Sequence, residues 1–338
     1  MALAVAYPLA LVAVTVTLRF VGEAWWVSII GLYLPPVAFA FPLPPIALAL
    51  LLLGKRRLLG LQAFSALVVL FPLMGFVLSR PSAADRDKPT MRVLSFNVNS
   101  GRGGVQAVMD EIDQYSPDVV ALQEIHGSSR EALDRLLRER YPWVAMAGQF
   151  ATATRYAPSR STEPPGTPSA AITPSTPFQR VALETPLGPI VLYNVHTTSP
   201  RGPLYALRGR GGLAREIVSG RVFLAAGAPQ IQSNADLRVS EVRMFSEAAA
   251  RESDGVVLAG DTNLPPLSPV LHRFLSGYED GFSTAGWGFG YTFPTDKWRP
   301  WMRIDRIRAK GRLRFVRFQV GRARVSDHLC VVADVQPL

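Results

Sequence analysis

The chain has 338 residues, of which 48% are hydrophobic and 18% charged, with a mean hydropathy of +0.16. This composition excludes a disordered protein, and the apolar excess indicates that part of the chain meets lipid. The single cysteine, Cys330, excludes a disulfide scaffold and any thiolate zinc or iron–sulfur centre, because each needs at least two cysteines. The net charge of +10 favours a polyanion, a membrane surface or a phosphorylated substrate.

The apolar excess is concentrated in residues 1–80, which contain five basic residues and one acid. Three runs, Ala2–Leu18, Trp25–Leu53 and Leu58–Leu78, predict about three transmembrane helices, because about 20 apolar residues cross the hydrocarbon core. Prolines interrupt the second run, so its spanning part is expected to be kinked or to begin near Val37. We therefore predict that residues 1–80 form a membrane anchor.

The loop Lys55-Arg56-Arg57 is the densest short basic loop and predicts the topology. The positive-inside rule keeps this loop in the cytoplasm, so three spans place the C-terminal domain outside. A re-entrant second run would make the number of spans even and leave the domain in the cytoplasm. A cleaved signal peptide is the alternative for the first run, but that run lacks a basic start and a small-residue end. The expected location is the cell membrane, multi-pass, with an extracytoplasmic domain.

Residues 81–90 are polar and read as a linker, and residues 91–338 are predicted to form an α/β domain. Strand patterns occur at 91–98, 118–123, 141–146, 178–184, 189–196, 256–259, 304–308, 313–320 and 329–335. Helical patterns begin at Val105 and cover 131–140 and 235–251. Helices and strands alternate in the first part of this domain, and strands predominate in its last part. This pattern favours an α/β sandwich with mixed sheets over a Rossmann fold or a barrel.

Polar side chains recur at the ends of these predicted strands. Asn97 and Glu124 end the first two strands, Asp261 and Asn263 follow a later one, and the pair Asp327-His328 precedes the last. Carboxylate and amide oxygens are hard ligands that suit Mg²⁺, Mn²⁺ or Ca²⁺. Each residue alone is typical of a turn or cap, so only the ordered combination points to function.

That combination consists of the motifs LSFNV, LQE, NVH, GDTN, RIDRI and SDH, in this order. It resembles the endonuclease/exonuclease/phosphatase superfamily, the deoxyribonuclease I-like proteins, which include abasic-site exonucleases, sphingomyelinases and inositol-polyphosphate phosphatases. The resemblance covers residues 91–338. It implies two packed mixed β-sheets flanked by helices, a four-layer α/β sandwich. It also implies a hydrolase of phosphoric ester bonds that uses Mg²⁺, or Mn²⁺ or Ca²⁺ in its place.

The resemblance assigns the cation site and the phosphate contacts to particular residues. It makes Glu124 the central metal ligand, Asn97 its neighbour and Asp327 a further ligand. It makes Asp261 and Asn263 the residues that position the attacking water and bind the phosphoryl oxygens.

The resemblance also implies the proton-transfer groups. His328 resembles the catalytic histidine of the family, and Asp305 resembles the carboxylate that orients it and stabilises its imidazolium. His196 matches a second histidine that binds phosphate or donates a proton to the leaving oxygen. Whether Asp261 or His328 takes the proton of the water stays open at the level of sequence, so both are candidate catalytic residues.

The leading hypothesis from sequence is a membrane-anchored nuclease or phosphodiesterase. The alternatives within enzymes are a phospholipid or sphingolipid phosphodiesterase, which the anchor favours, and an inositol-phosphate phosphatase. A silent binding module would be expected to lack one of the motif residues, and none is missing. The expected partners are the membrane and a phosphoester substrate, nucleic acid or phospholipid; no protein partner is inferred. Two basic segments, Arg201–Ala228 and the strand Arg312–Arg317, are candidate anion contacts.

Overall fold

The computed structural model describes residues 1–80, 83–159, 176–207 and 227–338, so most of the basic segment Arg201–Ala228 lies outside the described residues. The described residues divide into two compact units. The first unit comprises Met1–Val77, Ser199–Val239 and Leu264–Arg273, and the second comprises Leu78–Thr198, Ser240–Asn263 and Phe274–Leu338. Two segments distant in sequence thus group with the N-terminal residues, while the predicted boundaries at residues 81–90 stay a prediction.

The N-terminal residues of the first unit are mostly helical. The helices are α1 (Ala2–Phe20), α2 (Trp26–Tyr33), α3 (Leu43–Leu52) and α4 (Leu59–Val68), and a π turn, Val69–Leu73, continues α4. Two stretches, Ala2–Phe20 and Arg56–Leu73, are long and apolar enough to cross a membrane. A pair bent by 90°, Trp26–Tyr33 with Pro36–Leu52, would make a third span if it crosses as one. Membrane insertion itself stays a prediction.

The structure corrects the boundaries of the predicted spans. The third run was expected to continue to Leu78, but its helical part ends at Leu73, next to Pro72. Gly75 then adopts a positive φ of 69°, and residues Val77–Leu78 form a short strand, β1. The bend in the second run follows α2, where Pro35 and Pro36 lack the N–H groups that would continue the helix. The prolines therefore divide the apolar segment as the sequence indicated.

A buried carboxylate connects the segments of the first unit. Glu23 is buried, and its Oε1 accepts a hydrogen bond of 2.6 Å from Ser268 Oγ. Its backbone carbonyl accepts a second one, of 2.9 Å, from Gln232 Nε2. Gly22 lies against the ring of Pro269 so closely that a Cβ at this position would be 2.2 Å from Pro269 Cδ. These contacts explain why segments around residues 232 and 268 belong to the same unit as the N-terminal helices.

The second unit contains a six-stranded sheet. Its strands are β2 (Met91–Asn97), β3 (Val119–Gln123), β4 (Trp143–Ala147), β5 (Phe150–Thr154), β12 (Leu313–Val320) and β13 (Val331–Pro337). Their order is β12-β13-β2-β3-β5-β4, and only β2 and β3 are parallel. The helices α5 (Val105–Tyr115) and α6 (Ser129–Arg140) cover one face.

Alternation along β2 separates the core from the site. Leu94 and Phe96 belong to the apolar cluster shared with α5 and α6, whereas Ser95 and Asn97 lie on the opposite face. On that face Gln123 Nε2 donates to Asn194 Oδ1 in the second sheet, at 2.7 Å. Successive side chains of a strand alternate between its two faces, so the polar residues of β2 and β3 lie on the face that packs against the second sheet.

The second sheet has five strands. They are β6 (Phe178–Thr185), β7 (Gly188–His196), β8 (Gly255–Asp261), β9 (Glu279–Asp280) and β11 (Asp305–Lys310), in the order β6-β7-β8-β11-β9. The remaining elements are α7 (Arg201–Leu207), α8 (Ala228–Ala250), α9 (Pro269–Leu275), α10 (Gly281–Ala285) and β10 (Trp287–Gly288), which pairs with β1. The strands β7 and β8 are parallel. A mixed α/β fold with packed mixed sheets flanked by helices is thereby confirmed.

Two strands of the sheets bear on the sequence predictions. The strand β5 was missed, because its sequence FATAT is short and all five residues are buried, so it has no polar alternation. The strand β12 does alternate, with Leu313 and Phe315 buried and Arg314 partly exposed. The register with β13 places Arg317 opposite Asp334, and the role of the strand as an anion contact stays a prediction. Arg314 is opposite Gln336, five residues along β13 from Val331, or about 17 Å at 3.4 Å per residue.

One buried charge cluster in the second unit provides a test of stability. The Asp280 carboxylate lies 3.5 Å from Arg303 Nη1 and 3.9 Å from Arg306 Nη1, and it accepts a hydrogen bond from Ser283. Burial alone would raise the pKa of Asp280, but Arg303, Arg306 and Arg308 lower it below its usual range. A lowered carboxyl pKa contributes stability above its unfolded value, near 4, and loses it as the pH falls through the folded value.

We expect Asp280→Asn to lower the free energy of unfolding by about 2 kcal/mol at pH 7, because it leaves buried guanidinium groups without their anion. The difference from the wild type should shrink as the pH falls below about 4, because the unfolded chain then binds a proton that the folded Asp280 takes up only at lower pH. Denaturant unfolding of the full chain at several pH values measures this. Asp296→Asn, which removes an exposed partner of Lys297, is the control and should change stability by less than about 0.5 kcal/mol. If Asp280→Asn lowered the free energy of unfolding equally at pH 7 and pH 3, the charge of Asp280 would not be the cause.

Candidate active site

Strand register brings the predicted site residues to one end of the two sheets. In the parallel pair β2 and β3, Asn97 is opposite Gln123, and Glu124 follows directly. In the parallel pair β7 and β8, His196 is opposite Asp261. Parallel strands end at the same edge, so these side chains come from four strand ends that face each other across the packed sheets.

The backbone at two of these positions is unusual. Glu124 has a φ of 57° and Asn263 a φ of 48°, both in the left-handed region that side chains other than glycine rarely adopt. Such conformations persist where the surrounding structure holds them, and they often occur at functional sites. At both positions the chain turns sharply out of the strand, which keeps the side chain at the strand end.

Asn97 connects the two carboxylates at the centre of the site. Its Nδ2 donates to Glu124 Oε1 at 2.9 Å and to Asp261 Oδ2 at 3.1 Å. Its Oδ1 accepts from the backbone N–H of Asn99 at 3.1 Å, which fixes the orientation of the amide. Asn97 thus presents its donor side to the carboxylates in this arrangement, whereas its predicted role as an oxygen ligand stays a prediction.

His196 lies against the same two carboxylates. Its Nε2 is 3.4 Å from Glu124 Oε1 and 3.7 Å from Asp261 Oδ2, and this buried nitrogen has no hydrogen-bond partner. Its Nδ1 is 2.5 Å from Gln149 Oε1. The Gln149 amide therefore contacts Nδ1 of the ring, and Nε2 points at the two carboxylates in the centre of the site.

His328 and Asp305 form a buried pair beside this group. His328 Nδ1 lies 2.9 Å from Asp305 Oδ2, and His328 Nε2 lies 3.7 Å from Asp261 Oδ2. Burial lowers the pKa of His328, but the charges of Asp305 and Asp261 outweigh it and raise that pKa to about 10. Burial also raises the pKa of Asp261, which the nearby His328 partly offsets. The imidazolium form of His328 is thus favoured, while the predicted role of Asp305 in orienting the ring stays a prediction.

The other predicted residues occupy different places at the rim. Asn263 Nδ2 donates to the backbone oxygen of Thr197 at 2.8 Å and to Asp261 Oδ2 at 3.3 Å, so it borders the central carboxylate. Asp327 is half-buried, its Oδ1 lies 3.4 Å from Ser326 Oγ, and its charge contributes to the raised pKa of His328. Among the described residues, the two groupings able to hold a cation are Glu124, His196 and Asp261, and Asp261, Asp305 and His328. Asp327 belongs to neither.

Sequence reasoning missed two residues that contact the histidines. Gln149 precedes the unpredicted strand β5, and its role depends on the pairing of that strand with β3. Phe293 lies against the ring of His328, with ring centroids 4.7 Å apart. Neither carries a local sequence signal, since glutamine and phenylalanine are common in any α/β domain.

The residues present fit a divalent cation. Three carboxylates and two imidazoles lie close together, all buried except the half-buried Glu124, and the orphaned His196 Nε2 is directed at two carboxylate oxygens. Several buried like charges are costly unless a cation or protons compensate them. Carboxylate oxygens suit hard dications such as Mg²⁺, Mn²⁺ and Ca²⁺. The chain thus has acidic and histidine groups that could bind a divalent cation, whereas the predicted ligand set of Asn97, Glu124 and Asp327 stays a prediction.

Comparisons with known proteins agree with this arrangement. The profile of the endonuclease/exonuclease/phosphatase family matches residues 94–328, the range that contains every residue of both groupings. A comparison of the sequence with curated proteins finds no match.

Solved structures show a similar fold. A 3′-5′ exonuclease from Neisseria meningitidis is 17% identical, with a TM-score of 0.50 over 72% of this chain and 98% of that chain. An endonuclease/exonuclease/phosphatase protein from Beutenbergia cavernae is 17% identical, with a TM-score of 0.49 over 73% and 72%. A beta toxin from Staphylococcus aureus is 14% identical, with a TM-score of 0.48 over 72% and 99%. At these identities the likeness concerns the fold alone.

Proposed function

Because the chain belongs to the endonuclease/exonuclease/phosphatase family, whose members are hydrolases of phosphodiester bonds, we propose that it is a membrane-anchored, divalent-metal-dependent phosphodiesterase. The observation that carries this proposal is the meeting of two histidines and three carboxylates around Asp261. A mere structural charge cluster would be expected to pair its acids with arginine or lysine, as Asp280 does.

The proposed mechanism divides the work between the two groupings. Glu124, Asp261 and the neighbouring polar residues hold the cation, which when bound supplies Lewis-acid stabilisation of charge on the phosphoryl oxygens. His328, kept protonated by Asp305, holds a proton at Nε2 that it can give to a phosphoryl or leaving oxygen. Asn263 presents an amide group beside Asp261, where it can bind a phosphoryl oxygen. These groups favour the transition state because they are preorganised where negative charge grows.

For the substrate, we propose nucleic acid as the leading candidate and a phospholipid or sphingolipid as the second. The second candidate is favoured by the two span-length apolar helices, because an anchored enzyme shares its membrane with lipid phosphodiesters. An inositol-phosphate phosphatase is the third alternative. All three would use the same buried groups, so the choice requires a direct assay.

The assay uses the full chain in detergent micelles or nanodiscs, with Mg²⁺, Mn²⁺ or Ca²⁺ added after chelation. Plasmid DNA, RNA, sphingomyelin, glycerophospholipids and inositol phosphates are the substrates. Metal-dependent cleavage of nucleic acid or of a lipid phosphodiester identifies the substrate and supports the proposal, whereas cleavage of inositol phosphates alone would identify a phosphatase instead. Absence of hydrolysis of every class with all three cations would contradict it.

The membrane topology provides a separate prediction. We propose that the catalytic domain is extracytoplasmic, because Lys55-Arg56-Arg57 is expected to remain in the cytoplasm and three spans then export the C-terminus. A reporter fused after Leu338 should behave as extracytoplasmic, and the domain should be accessible to protease in intact cells. Protection in intact cells, with degradation only after permeabilisation, would instead demand two spans or the reverse orientation.

A further inference from the structure

The segment that follows Asn263 belongs to the same compact unit as the N-terminal helices. This connecting segment, Leu264–Arg273, begins at the residue directly after Asn263. Leu264 is fully buried, and the next two residues, Pro265 and Pro266, have φ angles that their rings fix. The backbone between Asn263 and the rest of the connecting segment is therefore stiff, and a displacement of the segment is expected to reach Asn263.

Glu23 and Ser268 form a polar contact between the N-terminal residues and the connecting segment. Ser268 Oγ donates to Glu23 Oε1 at 2.6 Å, and both side chains are buried. The same Oγ accepts from the N–H of Val270 at 3.3 Å, and the N–H of Ser268 donates to the backbone oxygen of Pro265 at 3.0 Å. The hydroxyl of Ser268 thus joins Glu23 to the turn that leads from Pro265 into α9.

Two glycines bring the N-terminal backbone against prolines of the connecting segment. A Cβ at Gly22 would lie 2.2 Å from Pro269 Cδ, and one at Gly75 would lie 3.6 Å from Pro266 Cγ. Both glycines have positive φ angles, of 45° and 69°. The close approach at Gly22 leaves no room for a side chain, so the packing at this position depends on glycine.

The backbone of Asn263 depends on support from both sides. Its φ of 48° lies in a region that residues other than glycine rarely adopt, and such conformations persist where the surrounding structure holds them. On the side of β8, the N–H of Asn263 donates to Asp261 Oδ1 at 2.8 Å. On the other side, the chain continues into the connecting segment, which packs on the N-terminal residues.

We propose that the N-terminal helices position the active site in addition to anchoring the chain, with Glu23 and Ser268 as positioning residues that hold the turn at Asn263. This inference goes beyond the proposed function, in which residues 1–80 serve as an anchor, and it rests on that function for its activity measurement. The rate of hydrolysis then depends on how the apolar helices pack, although none of their residues contacts the substrate.

The first test compares kcat of full-length variants in nanodiscs, with the substrate that the assay above identifies. Glu23→Leu removes the acceptor for Ser268 and should lower kcat by about ten- to a hundredfold, because a small displacement of a site residue is costly. Glu23→Gln keeps an oxygen acceptor of the same reach and should retain kcat. Ser268→Ala should lower kcat as Glu23→Leu does. Ser65→Ala is its matched control and should not, since Ser65 is equally buried but donates to Leu61 of its own helix.

The double variant tests whether the two residues act through one hydrogen bond. Glu23→Leu combined with Ser268→Ala should lose no more kcat than the more affected single variant. Losses that multiply would show two independent effects and would contradict the joint role.

Hydrogen exchange followed by mass spectrometry provides a measurement that needs no substrate. In Glu23→Leu the amides of residues 263–270 should exchange faster, because the hydrogen bonds of Ser268 and Val270 open more often without the contact to Glu23. The strand β2 is the internal reference and should exchange as in the wild type. Glu23→Gln should exchange as the wild type does throughout.

The outcomes separate this inference from the proposed function. Faster exchange at residues 263–270 together with a loss of kcat supports the inference. Unchanged exchange, or unchanged kcat in both Glu23→Leu and Ser268→Ala, overturns it even if the wild type hydrolyses a phosphodiester. Equally faster exchange in β2 would show a general loosening and would contradict the local role. If the wild type hydrolyses no substrate, the proposed function fails, and faster exchange confined to residues 263–270 would still support the contact through Glu23.

Discussion

Glu124→Gln is expected to lower kcat/KM for phosphodiester hydrolysis by at least about a thousandfold. The substitution keeps the volume of the side chain but removes the charge that faces His196 and Asn97. A bound cation contributes several kcal/mol of transition-state stabilisation, and each 1.36 kcal/mol corresponds to a factor of ten in rate. Steady-state kinetics at saturating Mg²⁺ and Mn²⁺ measure the loss, so that a change in metal affinity alone is not mistaken for a change in catalysis.

The matched control for Glu124→Gln is Glu131→Gln, which makes the same chemical change at an exposed position of α6. It should leave kcat/KM and the unfolding transition unchanged. Both variants should fold, because Glu124 lies at a strand end and forms no part of the apolar core. Activity of Glu124→Gln near the wild-type level at saturating cation would refute the assignment of Glu124 to the cation site.

His328→Ala is expected to reduce kcat by at least about a hundredfold, the lower limit for removal of a general acid or base. Asp305 and Asp261 raise the pKa of His328 to about 10, so the imidazolium predominates below that pH. A proton donor of this kind loses activity as the pH rises through its pKa. The pH dependence of kcat/KM should therefore have an alkaline limb in the wild type that is absent in His328→Ala.

Asp305→Asn supplies the companion measurement, because it keeps an acceptor near His328 Nδ1 but removes the charge. Without that charge the pKa of His328 should fall, and the alkaline limb should move to lower pH. A purely structural role of Asp305 would lower activity equally at every pH. An alkaline limb that persists unchanged in His328→Ala would show that another group titrates there and that His328 does not transfer the proton.

The strands and the polar residues at their ends could be predicted from the sequence. Residues Met91–Asn97 and Val119–Gln123 were identified as strands because apolar and β-branched side chains mark them locally. Asn97, Glu124 and Asp261 were singled out because each ends such a strand. Parallel pairing then places strand ends at one edge, so proximity of these residues follows from the pattern once the sheet order is known.

The partners of each side chain depend on contacts that no local pattern encodes. Gln149 lies beside His196 only because β5 pairs with β3 and the two sheets pack face to face, which joins residues 47 positions apart. The basic strand β12 alternates as predicted, yet only the register with β13 decides that Arg314 lies opposite Gln336 and Arg317 opposite Asp334. Register sets the position of a side chain along a sheet, and it is fixed by long-range pairing.

The sequence by itself determined the family, the α/β class and the residue types of the site, because strand periodicity and short motifs are local properties of the chain. Only the tertiary structure decided which amide group lies beside His196, which amide group donates to the carboxylates and how deeply Glu23 is buried. Those properties depend on atoms brought within about 3 Å from segments far apart in sequence. Hydrogen bonds form only at such short distances, and desolvation depends on the atoms that surround a group. Both are therefore determined by how the chain packs and not by the local order of residues.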